Sequence, residues 1–96
     1  MIEIHQTEIY ADWFANLRDR QARARINARI RRLSLGNSSD VRPVGAGVSE
    51  LRIDYGSGYR ICFFTMGSDV VILLAGGDRD TKNREIRTAL EMVGIL

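Results

Sequence analysis

The chain has little of what redox, metal and multidomain proteins are built from. It carries one cysteine, one histidine, one proline and one tryptophan in 96 residues. A single thiol, Cys62, excludes an internal disulfide and fits a reducing compartment. A single histidine, His5, leaves no ligand set with the spacing of a transition-metal site. His5 reads as a strand residue away from the other polar candidates, which leaves a Ser/His/Asp triad unsupported. Gly45-Ala46-Gly47 is a turn with no helix after it, so no phosphate-binding glycine loop is present. No apolar run approaches the roughly 18 residues that span a bilayer. Residues Met1–His5 lack the basic-then-apolar build of a secretion signal. The expectation is a cytoplasmic protein with one domain, residues 1–96, and no metal or cofactor.

Apolar residues make up 45% of the chain and charged residues 27%, the balance of an ordinary globular domain. The net charge of +2 hides an asymmetry. Residues 18–32 hold seven arginines and one acid, while the remainder is net acidic. A basic segment on such a body suits a polyanion or an acidic partner. It also suits a solvated helix face.

Residues 2–5 alternate as a short strand. Thr7 caps a helix in which Ile9, Trp13 and Leu17 recur at intervals of four, about three turns long. Asp19 caps a second helix, with Ala22, Ile26, Ile30 and Leu33 as its apolar stripe. Arg25, Arg29 and Arg32 form a separate stripe, and Gly36 supplies the stop. The short link at residues 18–20 predicts an antiparallel helical hairpin. Asn37 to Asp40 read as loop, and Pro43 belongs to an edge strand or an extended segment. Strands follow at about 48–54, 59–66 and 70–75, separated by glycine turns. The last is apolar on both faces and should sit centrally in the sheet. Gly76 and Gly77 break it, and Asp80 or Thr81 caps a final helix along Ile86, Leu90 and Val93. Helices at one end of the chain and a strand meander after them define an α+β domain.

Strand register then places the charges. A three-residue loop at 56–58 sets residue 55 opposite 59, 53 opposite 61 and 51 opposite 63. Leu51, Ile53, Ile61 and Phe63 share the core face. Glu50, Arg52, Asp54, Arg60, Cys62 and Phe64 share the other. A shift by one residue would bury Arg60 among leucine and isoleucine. One face therefore packs on helices, and the opposite face presents Arg52 beside Arg60. Two neighbouring guanidiniums repel unless something anionic lies between them or unless Glu50 and Asp54 pair with them. Arg79 and Lys82, at the start of the final helix, can close the same surface. An arginine-rich, histidine-poor surface suits a phosphodiester, whose charge grows in the transition state. Cleavage of RNA by its own 2′-hydroxyl needs a general base, and Glu50, Asp54, Asp78, Tyr55 and Tyr59 are the candidates. Cys62, beside two arginines, is open to a lowered pKa or to a plain packing role.

The run Glu50-Leu51-Arg52-Ile53-Asp54-Tyr55-Gly56-Ser57-Gly58-Tyr59-Arg60-Ile61 resembles the central hairpin of the RelE/ParE toxin superfamily. Leu73-Leu74-Ala75-Gly76-Gly77-Asp78-Arg79-Asp80 and the helix opening at Lys82 are similar to its HigB-like, Gp49-related branch. The resemblance implies a RelE-like fold: an N-terminal strand and helical hairpin packed on a mainly antiparallel sheet, with a C-terminal helix. It implies the toxin of a type II toxin–antitoxin pair that cleaves mRNA on the ribosome and is neutralised by a cognate antitoxin protein. Arg52, Arg60 and Arg79 fall at its catalytic positions, with Lys82 as a further contributor. Glu50 departs from the pattern, standing where RelE-like members carry a base. The tyrosine or histidine of the family's last helix region is absent from Asn83-Arg84-Glu85-Ile86. Arg25, Arg29 and Arg32 would meet ribosomal RNA. The superfamily also contains gyrase poisons and implies, as a third reading, an inactive antitoxin-binding relative. Retention of all three arginines favours the nuclease.

Overall fold

The computed structural model describes residues 1–38 and 40–95. Ser39, in the loop expected at Asn37–Asp40, and Leu96, the last residue of the expected domain, lie outside the described residues. The elements run β1 (Glu3–Gln6), α1 (Glu8–Ala15), α2 (Arg20–Ser34), β2 (Val41–Gly45), β3 (Val48–Ile53), β4 (Tyr59–Met66), β5 (Val70–Asp78) and α3 (Lys82–Ile95). A single 3-10 turn, Arg79–Thr81, joins β5 to α3. The five strands form one sheet in the order β1-β5-β4-β3-β2. Among the described residues, only the β1–β5 pair is parallel. No helix among the described residues is long and apolar enough to cross a membrane.

Local chemistry sets the helix ends. The Thr7 hydroxyl accepts from the Tyr10 N–H at 3.1 Å and donates to the Leu74 carbonyl at 2.7 Å. One side chain thus caps α1 and ties it to β5. The helix ends at Ala15, shorter than the spacing of Leu17 suggested, because Leu17 packs on the core from the connecting segment. Asp19 caps α2 by accepting from the N–H groups of Gln21 and Ala22. Gly36 closes α2 at φ 94°, where a side chain would be strained.

The sheet is covered on both faces, but unequally. Helices α1 and α2 lie on one face, burying Tyr10, Ile26 and Leu33 against Leu51, Ile53, Ile61 and Phe63. That is the core face expected from the strand alternation. Helix α3 covers part of the other, burying Ala89 with Val48, Cys62 and Leu74. The opposite face is therefore not an open field of charge. Glu50 and Cys62 each keep 1% of their surface and sit beneath α3.

The β3–β4 register differs from the expected one by two residues. Ile53 pairs with Tyr59 and Arg52 with Arg60, so the loop spans residues 54–58. Bonds from Tyr55 N–H to the Ile53 carbonyl and from Gly58 N–H to the Tyr55 carbonyl close it. An even slip conserves which side chains share a face.

Strand β5 is interior and apolar on both faces, with β4 rather than β5 in the middle of the sheet. It also runs through Gly76 and Gly77 to Asp78 instead of breaking there. A bulge lets Leu73 pair with Phe63 and Ala75 with Cys62, leaving Leu74 as the extra residue. Beyond it Gly76 lies opposite Ile61 and Gly77 opposite Arg60. The Trp13 ring occupies the space where a Gly76 side chain would stand, and the Glu85 carboxylate does the same at Gly77. These glycines admit close approach of α1 and α3 from opposite faces. We expect Gly76→Ala to cost about 1–3 kcal/mol through displacement of the Trp13 ring. Urea denaturation followed by Trp13 fluorescence measures this; an unchanged midpoint would refute it.

Candidate phosphate-binding cleft

One end of the sheet, beyond α3, holds a cleft of about 340 Å³. Its polar lining is Asp40, Arg52, Asp54, Tyr59, Arg60 and Arg79. Arg52 projects from β3 directly opposite Arg60 on β4, and the next strand offers only Gly77 at that level. Arg79 follows β5 by one residue. Three of the four residues expected to act on a phosphate therefore line one cleft. Lys82, the fourth, is half-buried at the first position of α3 and does not line it.

The turn carrying Arg79 is built by Asp78, not by Asp80 or Thr81 as the sequence suggested. Asp78 Oδ1 accepts from the N–H of Asp80 at 2.9 Å and of Thr81 at 3.2 Å. The Thr81 hydroxyl lies 3.0 Å from the Asp78 N–H, completing a capping box.

The three guanidiniums differ in their partners. Arg60 Nη1 lies 2.7 Å from Glu50 Oε1, with 16% and 1% of those side chains exposed. Arg60 is thus held from behind by a buried acid. Arg52 and Arg79 are exposed and form no ion pair among the described residues. Of the pairings open at the sequence level, Arg60 with Glu50 forms and Arg52 with Asp54 does not. Asp40 lines the cleft but is tied at 3.0 Å to Arg29 of α2. This acid escaped the sequence reading; in a polar loop, only its place beside β3 in space marks it.

Behind Arg60 lies a compact acidic layer. Glu50 Oε2 and Glu85 Oε2 are both buried without a hydrogen-bond partner among the described residues. Burial pushes the Glu85 pKa up. Burial pushes the Cys62 thiol up to about 12, reinforced by the charges of Glu50 and Glu85 and opposed by Arg60. The lowered pKa considered for Cys62 does not occur, because α3 desolvates it; the thiol fills space.

The α2 arginines border this site to different degrees. Arg25 stacks over the Tyr55 ring at 4.8 Å, and the Tyr55 hydroxyl donates to Asp19 at 3.3 Å. Arg29 is half-buried on Asp40, and Arg32 is exposed. Arg25 and Arg29 are thus braced against the loops that flank the cleft. His5 sits exposed on β1, at the far edge of the sheet.

The architecture and cleft define a small α+β protein of the RelE fold. The structure aligns with isolated Escherichia coli RelE toxin at a TM-score of 0.69, covering 91% of this chain and 97% of that one at 12% identity. It aligns with a chain of the intact E. coli RelBE toxin–antitoxin complex at 0.68, covering 81% and 96%, also at 12% identity. Residues 12–93 match the family model "Phage derived protein Gp49-like (DUF891)", and the chain belongs to that family. A relative in Haemophilus influenzae, an uncharacterized protein, is 43% identical over 88 residues, covering 92% of this chain and 89% of its own length.

Proposed function

We propose that this protein is the toxin of a type II toxin–antitoxin pair and that it cleaves mRNA on the ribosome. The observation that carries this reading is the meeting of Arg52, Arg60 and Arg79 at one cleft of a RelE-like fold. In the proposed reaction the scissile phosphate lies among these groups. They bind its oxygens and offset the charge that builds on the phosphorane as the neighbouring 2′-hydroxyl attacks. No step calls on a metal. Lys82 adds positive potential from the start of α3. Arg25, Arg29 and Arg32 contact ribosomal RNA beside the cleft, so affinity falls as salt rises. A cognate antitoxin neutralises the protein, and the site of action is the cytoplasm, where ribosomes translate.

The test is a map of mRNA 5′ ends after brief induction in bacteria, with wild type and an Arg52→Ala/Arg79→Ala variant. New in-frame ends in translated messages, seen with wild type alone, are expected. Growth arrest with DNA breaks and no new mRNA ends would replace the nuclease with a gyrase poison.

A further inference from the structure

The nuclease reading lacks a general base, and five side chains compete for that role at the sequence level. The fold disposes of three. Glu50 is 1% exposed and committed to Arg60 from behind, so no ribose can reach it. Asp78 does not line the cleft, and its Oδ1 accepts from the N–H groups of Asp80 and Thr81. Tyr55 does not line the cleft; its hydroxyl is on Asp19 and its ring lies under Arg25. Asp40, which the fold adds to the set, is bound to Arg29.

Two remain. The Tyr59 ring packs on the α1/α2 side of the sheet, with its centroid 6.4 Å from that of Trp13. Asp54 is exposed, lines the cleft, and its carboxylate makes no hydrogen bond or ion pair among the described residues. It lies two positions beyond Arg52, just past the end of β3. A carboxylate at a cleft with three guanidiniums would ordinarily be drawn into an ion pair; this one is left with its acceptor oxygens open.

We infer that Asp54 is the general base that takes the 2′-hydroxyl proton of the RNA held by Arg52, Arg60 and Arg79. The inference rests on the nuclease reading and deepens it. Asp54 accepts the proton from the 2′-hydroxyl. The oxygen's electron pair forms a bond to the adjacent phosphorus, and the bond from phosphorus to the 5′ oxygen breaks. The departing oxygen takes a proton from solvent, and Asp54 later returns its own to solvent. The products are a 2′,3′-cyclic phosphate and a 5′-hydroxyl end, with no water consumed.

The experiment uses the purified full chain, ribosomes programmed with an end-labelled mRNA, and single-turnover conditions. Asp54→Asn is expected to slow cleavage at least about a hundredfold, the lower bound for a lost general base. Its binding to the same ribosomes should stay within twofold of wild type, and its circular dichroism unchanged, since the side chain is exposed. Asp54→His should recover part of the rate, and that rate should climb with pH through about 6.5, where an ordinary imidazole loses its proton. Asp54→Asn within threefold of wild type would overturn the assignment while wild-type cleavage keeps the nuclease reading. Equal losses in binding and cleavage would also overturn it, making Asp54 a contact rather than a base. A hundredfold loss in Tyr59→Phe with Asp54→Asn unaffected would move the role to Tyr59. Absence of cleavage by wild type would remove both the assignment and the reading beneath it.

Discussion

Replacing Arg52 and Arg79 together by alanine is expected to lower mRNA cleavage by at least about a thousandfold and to abolish growth arrest. These are the two cleft guanidiniums without an ion-pair partner in the protein among the described residues. Their charge is available to a phosphate at no cost of breaking an internal pair. Loss of one preorganised donor to a developing oxyanion typically slows chemistry by about 10²–10³. Both side chains are exposed, so the fold should survive: exposed substitutions usually shift stability by less than about 0.5 kcal/mol. The checks are single-turnover cleavage on programmed ribosomes and a urea melt of the double variant. Undiminished toxicity in a folded double variant would remove these arginines from the site.

The second large effect is on the fold. Glu50→Ala would leave the Arg60 guanidinium, 16% exposed, without its counterion and directly opposite Arg52. Breaking a buried pair by removing one member costs about 3–5 kcal/mol. The low end applies, since Arg60 opens onto the cleft and can turn toward water. A loss of about 3 kcal/mol would lower the melting temperature of a domain this size by roughly 12–24 °C. Cleavage should fall as well, through a wandering Arg60. Adding Arg60→Ala to Glu50→Ala should return part of the stability, because it removes the stranded charge, but none of the cleavage. A loss under 1 kcal/mol in the single variant would show that the pair does not hold this end of the sheet.

Strand alternation is a two-state choice and is legible in sequence. Arg60 cannot share a face with Leu51 and Ile53 without burying an unpaired charge, so parity was determined even though the loop length was not. The true pairing differs by two residues; it keeps Arg52 and Arg60 on one face and sets them directly opposite, where the expected register had them diagonal. The same reasoning could not see α3. Nothing in the alternation of β3 and β4 tells which part of the polar face a distant helix will cover. Glu50 and Cys62 consequently read as surface neighbours of two arginines, whereas α3 buries both. The glycines misled for a related reason. Gly76-Gly77 has the local signature of a strand end, but here it marks the close approach of Trp13 and Glu85 from opposite faces.

By itself the sequence determined the α+β order of elements, the capping of α1 by Thr7 and of α2 by Asp19, and the face that Arg52 and Arg60 share. These follow from periodicity, local hydrogen bonding and the cost of burying charge, all of which act within a few residues or across one hairpin. Only the tertiary structure decided which of those charges are free. The bulge at Leu74 sets Gly77 beside Arg60, α3 buries Glu50 behind it, and Arg29 reaches across from α2 to hold Asp40. Ion pairing and desolvation depend on distances between elements far apart in the chain. They leave Arg52, Arg79 and Asp54 as the open groups of the cleft.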